Sequence, residues 1–489
     1  MPSSSSLAAS LPRLRRRLLA AGTAALMALA VLPVAPASAQ YIDVPNPLVE
    51  QRADTAIYKH TDGYYYMTAS VPDYKRVELR RSRTLAGLGP ATPVTAFAAP
   101  SSGDLSGWIW APDIQYVDGA WYMYFSASPG SSQFAQRLYW IRNTSADPTT
   151  GTWSAPQRLT TGWESFQLDP ASFTVGGTRY FAWAQDSPST SYNSHMYLAR
   201  MTSPTTIDTA TAIEIARPTY SWEMEGVAGV VEGPSPIVKN GRVFVAYSAS
   251  ATDSRYKLGM VSASASADLL SPSSWTKRST PVFQTANGVY GPGHGSFTVA
   301  EDGVTDILVY HARNYATPTP DALTDPNRHT RIQQLYWAAD GSPFFGQPQA
   351  TGSGQPGIRG RHSDKCVDDY EWNTADGALV RLYTCSTAAA QKWELSYVGG
   401  YYRIKNLHAA KCLDNLNGSA ALNADVGLWT CTGGANQDWS IIDQGSGWFS
   451  LRNRTSGLCL DNYEWNTANG ARLSMYTCNG LNAQLWRRG

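Results

Sequence analysis

The sequence predicts an all-β protein in which a five-bladed β-propeller precedes a smaller β domain built from three repeats. Three observations carry that reading. Five segments repeat one strand–turn–strand pattern; aromatic residues are abundant, with 17 Trp and 27 Tyr in 489 residues; and all six cysteines lie beyond residue 365. Aromatic side chains suit pleated, half-buried strands. The 43% apolar content supports large cores and excludes a disordered chain.

Residues 1–39 stand apart from the fold. Arg13, Arg15, Arg16 and Arg17 precede an apolar run, and Ala37-Ser38-Ala39 ends it as a small-residue cleavage site. That pattern is a secretory signal and predicts a secreted, extracellular protein; the arginines leave both the general and the twin-arginine export routes open. Removing four arginines from 39 basic against 38 acidic side chains leaves a mature net charge of −3. Such a surface offers no electrostatic reason to bind nucleic acid or an anionic membrane.

The five repeated segments, within a domain expected over residues 40–346, are residues 54–63, 110–119, 169–177, 232–241 and 294–303, each ending on a turn glycine. A second apolar strand follows each glycine, and successive glycines are 56, 58, 64 and 62 residues apart. That is about the chain a four-stranded blade requires. Asp62, Asp118 and Asp302 immediately precede turn glycines and read as hairpin residues. The innermost strand of every blade lines the axis. Asp54, Trp110, Asp169, Glu232 and His294, at or beside one register, should therefore form a ring at one end of the channel.

A Gly/Pro/Ser/Gln-rich stretch, residues 347–356, reads as a flexible linker to a third segment, residues 357–489. There Cys366, Cys412 and Cys459 each begin a Cys-[Val/Leu]-Asp triplet, reach a second cysteine 19 residues later, and then a Gln-x-Trp. Six cysteines allow 15 pairings. The identical spacing favours one bond per repeat: Cys366–Cys385, Cys412–Cys431 and Cys459–Cys478, each worth about 3 kcal/mol in the chain-entropy model. These units resemble the ricin-type β-trefoil lectin domain, carbohydrate-binding module family 13. The resemblance implies three sugar sites: Asp368 with Tyr383, Asp414 with Trp429, and Asp461 with Tyr476. In each, a carboxylate would accept from vicinal hydroxyls while a ring covers the sugar's apolar face. Tyr-Glu-Trp-Asn-Thr-Ala occurs in the first and third repeats, at Tyr370 and Tyr463, and is absent from the second. Two similar sites and one divergent site are expected.

Hydrolysis of a glycosidic bond needs an acid on the leaving oxygen and a base or nucleophile on the opposite face, which two carboxylates in different environments can supply. The ring provides Asp54, Asp169 and Glu232. Glu223 and Glu225 are out of register, and Asp113 lies three positions beyond the ring, as a hydrogen-bonding residue lower in its strand. Arg52-Ala-Asp54, Trp110-Ala-Pro-Asp-Ile114, Leu168-Asp-Pro170, Glu232-Gly-Pro234 and Gly291-Pro-Gly-His294 resemble glycoside hydrolase family 43. The resemblance implies an inverting enzyme with Asp54 as general base, Asp169 as pKa modulator and Glu232 as general acid. It departs from the family at Thr55, where proline commonly follows the base. It further implies that Trp110 walls a sugar subsite and that Arg331 contacts the terminal sugar. No cofactor is expected for the chemistry. His294 would face a structural calcium at the axis through water, since calcium prefers oxygen.

The opening, from Asn46 through Asp54, with Tyr58 and the aromatics after Gly63, looks most like the exo-acting α-L-arabinofuranosidase branch. A monomer releasing terminal arabinofuranose from arabinan, arabinoxylan or arabinogalactan is expected. β-Xylosidase, endo-arabinanase and exo-β-1,3-galactanase are the alternatives within the family; an inactive secreted lectin is the alternative outside it.

Overall fold

The computed structural model describes residues 44–187, 189–352 and 357–489; the expected signal segment lies outside them. Five sheets surround an axis and a twelve-stranded barrel follows, so the chain is a β-propeller with a β-trefoil. The innermost strands are Ala53–Lys59, Gly107–Val117, Gln167–Val175, Val231–Lys239 and Tyr290–Val299. Each pairs antiparallel with the apolar strand predicted after its turn glycine: Tyr65–Ser70, Ala120–Ser128, Thr178–Gln185, Arg242–Ala249 and Asp306–Arg313.

Those second strands are apolar on both faces because every blade is packed on both sides. Five cores fill the gaps between neighbours. Tyr66 and Val77 of the first blade meet Ile114 and Trp121 of the second, and Phe173 and Val175 of the third meet Val243 and Val245 of the fourth. Burying each such side chain stabilises by about 1.5–3 kcal/mol. The fifth blade contributes only three strands, with His329–Gln334 outermost. Its edge is closed from the other end of the domain. The Leu48 N–H donates to the Thr330 carbonyl (2.8 Å), the Thr330 N–H donates to Val49 (2.9 Å), and the Asn46 side chain bonds both backbone groups of Ile332. The ring is thereby locked without an open edge.

Every inner strand is irregular at the axis. Pairing slips by a residue or more in all five, and Asp54, Ala111, Asp169, Gly233 and His294 take positive φ of 54°, 44°, 56°, 61° and 40°. These are β-bulges, which bend a strand and re-aim its side chains. They also correct the predicted register: in the second and fourth blades the equivalent positions are Ala111 and Gly233, one beyond Trp110 and Glu232. The turn after the inner strand differs in length between blades, so counting back from the glycine drifts by one.

In the C-terminal domain the three disulfides form as predicted, with Cα–Cα distances of 5.0–5.1 Å. The Gln-x-Trp tryptophans, Trp393, Trp439 and Trp486, are fully buried, and each indole N–H bonds a carbonyl of its repeat's first hairpin strand. The expected flexible linker is not a free tether. Up to Gly352 it packs on the propeller, where Gly352 exchanges backbone hydrogen bonds with Asn46; residues 353–356 lie outside the described residues. The trefoil in turn rests directly on the fourth and fifth blades. Tyr336 and Phe344 of a two-stranded hairpin join the trefoil core. The Trp337 N–H donates to Tyr402 Oη (2.5 Å), the Ala339 N–H to the Ile441 carbonyl (2.8 Å), and Arg278 pairs with Asp443 (2.7 Å).

Candidate active site

The bulges bring Asp54, Asp169, Glu232 and His294 to the wall of one cavity of about 370 Å³, lined also by Trp110, Tyr74, Tyr256 and Arg328. Asp54 is 7% exposed, and its Oδ1 accepts from Arg328 Nη1 (3.2 Å). His294 Nδ1 lies 3.5 Å from Asp54 Oδ1 and 3.8 Å from Asp169 Oδ2, between the two carboxyls. Asp169 Oδ2 accepts the Gly233 N–H (2.9 Å), which ties it to the strand that carries Glu232. Glu232 Oε1 accepts from Tyr256 Oη (2.7 Å). Gly233 is required there: its φ is positive and a Cβ would sit 3.2 Å from the His294 ring.

The electrostatics separate the carboxyls. Burial works to raise the pKa of Asp54, but Arg328 foremost, with His294, holds it well below the usual carboxylate range. Burial pushes Glu232 up to about 7, aided by the charge of Asp54 and opposed by the Tyr256 hydrogen bond. Asp169 is raised well above its ordinary value by burial and then by Glu232. Glu232 and Asp169 therefore retain a proton between them at neutral pH while Asp54 stays ionised. This is the division that general acid–base chemistry requires. His311 takes the Asp54 N–H on Nδ1 (3.1 Å) and is kept neutral by burial, with a pKa of about 3.

Trp110 forms part of the wall, edge-on to Tyr74 and Trp108 with ring centroids 6.2 Å away, and its buried indole N–H has no partner among the described residues. Arg331 does not reach the cavity. It is wholly buried, bonding Asn314, Thr351 Oγ1 (2.8 Å) and the Gln349 carbonyl (3.3 Å). Arg328, three residues earlier, is the arginine at the site. Alternation places residue 331 on the blade's inside, whereas Arg328 precedes the strand and turns toward the axis. Tyr256, His311 and Tyr74 were also missed, because His311 lies on a second strand and the two tyrosines on connections just before third strands, where no register argument applied.

The rival carboxylates are structural. Glu223 is fully buried beneath Lys277 (2.6 Å) and Tyr247 (2.7 Å), and Glu225 pairs with Lys257 (2.7 Å). Asp113 lines a second, axial cavity of about 280 Å³ beyond the ring, where it accepts from Gln115 Nε2 and burial pushes it up to about 7. Asp54, His294, Gln115 and the hydroxyls of Ser172, Ser235 and Ser296 join its lining, and among the described residues no group of three His, Cys, Asp or Glu side chains is placed to hold a metal.

In the trefoil, Asp368, Asp414 and Asp461 each accept from the Gln of the Gln-x-Trp in their own repeat (2.7–2.9 Å). Tyr383, Trp429 and Tyr476 stand on the adjacent strand, 39–43% exposed. In the second repeat Asn436 adds two further bonds to Asp414, where the other repeats have Ala390 and Ala483.

Residues 44–343 match the family model described as glycosyl hydrolases family 43. The chain belongs to that family. Residues 337–429 and 389–476 of this hydrolase match the ricin-type beta-trefoil lectin domain-like model. It is 51% identical over 339 residues to an extracellular exo-alpha-(1->5)-L-arabinofuranosidase of Streptomyces avermitilis, covering 68% of this chain and 70% of the relative. It is 42% identical to alpha-L-arabinofuranosidase 43 of Humicola insolens, over 70% of each chain. Among solved structures, an alpha-L-arabinofuranosidase from Lactobacillus brevis superposes with a TM-score of 0.61 at 45% identity, covering 63% of this chain and 98% of that one.

Proposed function

We propose that this hydrolase is a secreted, inverting, exo-acting α-L-arabinofuranosidase of plant cell-wall polysaccharide. The observation that carries the mechanism is the contrast between Asp54, held ionised by Arg328, and Glu232, held protonated by burial. Asp54 takes a proton from a water, whose oxygen attacks the anomeric carbon. As the glycosidic bond breaks, the leaving oxygen takes the proton of Glu232, and the sugar emerges with inverted configuration. Asp169 anchors the acid's strand through Gly233 and, by sharing protons with Glu232, keeps the acid loaded. The sugar assignment is supported by the relatives in Streptomyces avermitilis, Humicola insolens and Lactobacillus brevis, all described as arabinofuranosidases.

A panel of arabinan, arabinoxylan, arabinogalactan and xylan, with product analysis, tests the reading. Free arabinose from one or more of the first three is expected. Release of xylose or galactose, or of arabino-oligosaccharides alone, would overturn the substrate assignment. A proton NMR time course on an aryl arabinofuranoside tests the stereochemistry, and retained configuration in the first-formed sugar would overturn the role of Asp54.

A further inference from the structure

Tyr74 stands at the wall of the catalytic cavity on a backbone that its residue type disfavours. It closes a turn in which its N–H donates to the Val71 carbonyl (3.0 Å), and its φ is 50°. A bulky residue in the left-handed region costs energy that glycine or asparagine would largely avoid. The residue is nevertheless held firmly. Its carbonyl accepts the Ile109 N–H (3.0 Å), its ring lies 5.7 Å from that of Trp108 and 6.2 Å from that of Trp110, and it is buried. Backbone strain persists where the surroundings over-determine it, and it collects at functional sites.

The hydroxyl accounts for the placement. Tyr74 Oη donates its proton to the Leu323 carbonyl (2.6 Å) and accepts from Arg328 Nη2 (3.0 Å). Neither partner can exchange roles, because a carbonyl only accepts and a guanidinium only donates. The Leu323 carbonyl thus turns the lone pairs of the hydroxyl toward Arg328. Arg328 needs such a second anchor. Among the described residues it meets Asp54 through one bond, Nη1 to Oδ1 (3.2 Å), and a single bond lacks the fixed geometry of a paired fork. With Nη1 on the carboxyl and Nη2 on the hydroxyl, the plane of the guanidinium is set. The Leu323 carbonyl is itself braced. The N–H groups of Leu323 and Thr324 donate to Asp321 Oδ1 (2.8 and 3.0 Å). The buried Arg313 donates to the carbonyls of Ala322 and Thr252 (2.7 Å each), tying this connection of the fifth blade to one of the fourth.

We propose that Tyr74 is a positioning residue of the reaction, whose hydroxyl, turned by the Leu323 carbonyl, holds the Arg328 guanidinium against Asp54. The proposal rests on the reading of Asp54 as the base. Asp54→Asn tests that reading separately and should lower kcat by about 10³. Tyr74→Phe removes the hydroxyl and keeps both the ring and the turn. On an aryl arabinofuranoside it should lower kcat about fivefold and leave KM within about twofold, the pattern of an interaction lost in the transition state. In a chain carrying Arg328→Met, the same substitution should change kcat by less than about 1.5-fold, because the group that the hydroxyl orients is gone. An equal loss in both backgrounds would overturn the proposal, since the hydroxyl would then act on its own or through the fold. Unaltered kcat in the chain that retains Arg328 would overturn it too. So would a rise in KM alone, which would make Tyr74 a sugar contact.

Discussion

Asp54 is a buried and Glu232 a partly buried carboxyl on inner strands, and what chiefly separates them chemically is one guanidinium. Arg328 hydrogen-bonds Asp54, whereas Glu232 takes its hydrogen bond from Tyr256 and feels the guanidinium only as the last of several influences. Arg328→Met should therefore raise the pKa of Asp54, moving the acid limb of the kcat/KM profile upward by a unit or more and lowering the maximum at least tenfold. An unmoved acid limb would show that Arg328 does not govern the base. Arg331→Met should behave oppositely, lowering Tm while leaving kcat/KM within about threefold, because its bonds tie the blade to Gln349 and Thr351 of the linker, away from the cavity. The basic limb belongs to Glu232 and should fall near pH 7. Glu232→Gln should abolish that limb and cut hydrolysis of natural linkages by about 10³, with far smaller losses for acidic phenol leaving groups that need little protonation. The same residue bears on stability. A carboxyl whose folded pKa exceeds its unfolded value is destabilising once the unfolded form ionises, so stability falls from about pH 4.5 to about pH 7 and is level above. The shift to about 7 corresponds to about 3 kcal/mol. Glu232→Gln should consequently melt higher than the wild type at pH 8, with the gap closing toward pH 5.

At the scale of the element, the five bulges turn ordinary antiparallel strands into a catalytic ring, and they also set the limit of what the sequence disclosed. Strand period and turn glycines were enough to find the blades and the residues at their axial ends, because one-residue alternation and Asp-Gly turns leave local signatures. A bulge has no such signature. It shifts Trp110 and Glu232 by one relative to Asp54, yet all of them still face the cavity, since a bulge re-aims neighbouring side chains. Arg328 shows the same limit. Two arginines three residues apart gave no local reason to prefer one, and the choice depends on where the strand begins, at His329. The bulge itself is open to test at Gly233, where φ is 61° and a methyl group would crowd the His294 ring at 3.2 Å. Gly233→Ala should destabilise by about 1–3 kcal/mol. It should also lower kcat more than KM, because the same residue's N–H holds Asp169. A variant with wild-type kcat would mean that the bulge is incidental to the chemistry.

The whole molecule is where sequence and structure part most clearly. A Pro/Gly/Ser-rich stretch between two differently composed segments reads as a tether, but composition carries no information about surfaces that meet through tertiary packing. Tyr336 and Phe344, each 3% exposed, leave the fifth blade to complete the trefoil core. Arg488, near the C-terminus, bonds Tyr336 Oη (3.2 Å) and the Trp393 carbonyl (2.7 Å), joining both domains in one buried contact. Deleting residues 357–489 would return Tyr336 and Phe344 to water, a loss of about 1.5–3 kcal/mol each. Against a total stability of about 5–15 kcal/mol that is a large fraction. The catalytic cavity, however, is lined entirely by propeller residues. The truncated enzyme should thus turn over small aryl glycosides at 20 °C with kcat/KM within about twofold of the full chain, yet lose activity at a temperature lower by 5 °C or more and bind polysaccharide weakly. Full-length Tyr336→Ala should share the lowered inactivation temperature while keeping its polymer binding, because the sugar sites remain attached. Thermal inactivation curves of the three proteins separate the effects. Identical curves for full-length and truncated chains would mean that the two domains merely touch.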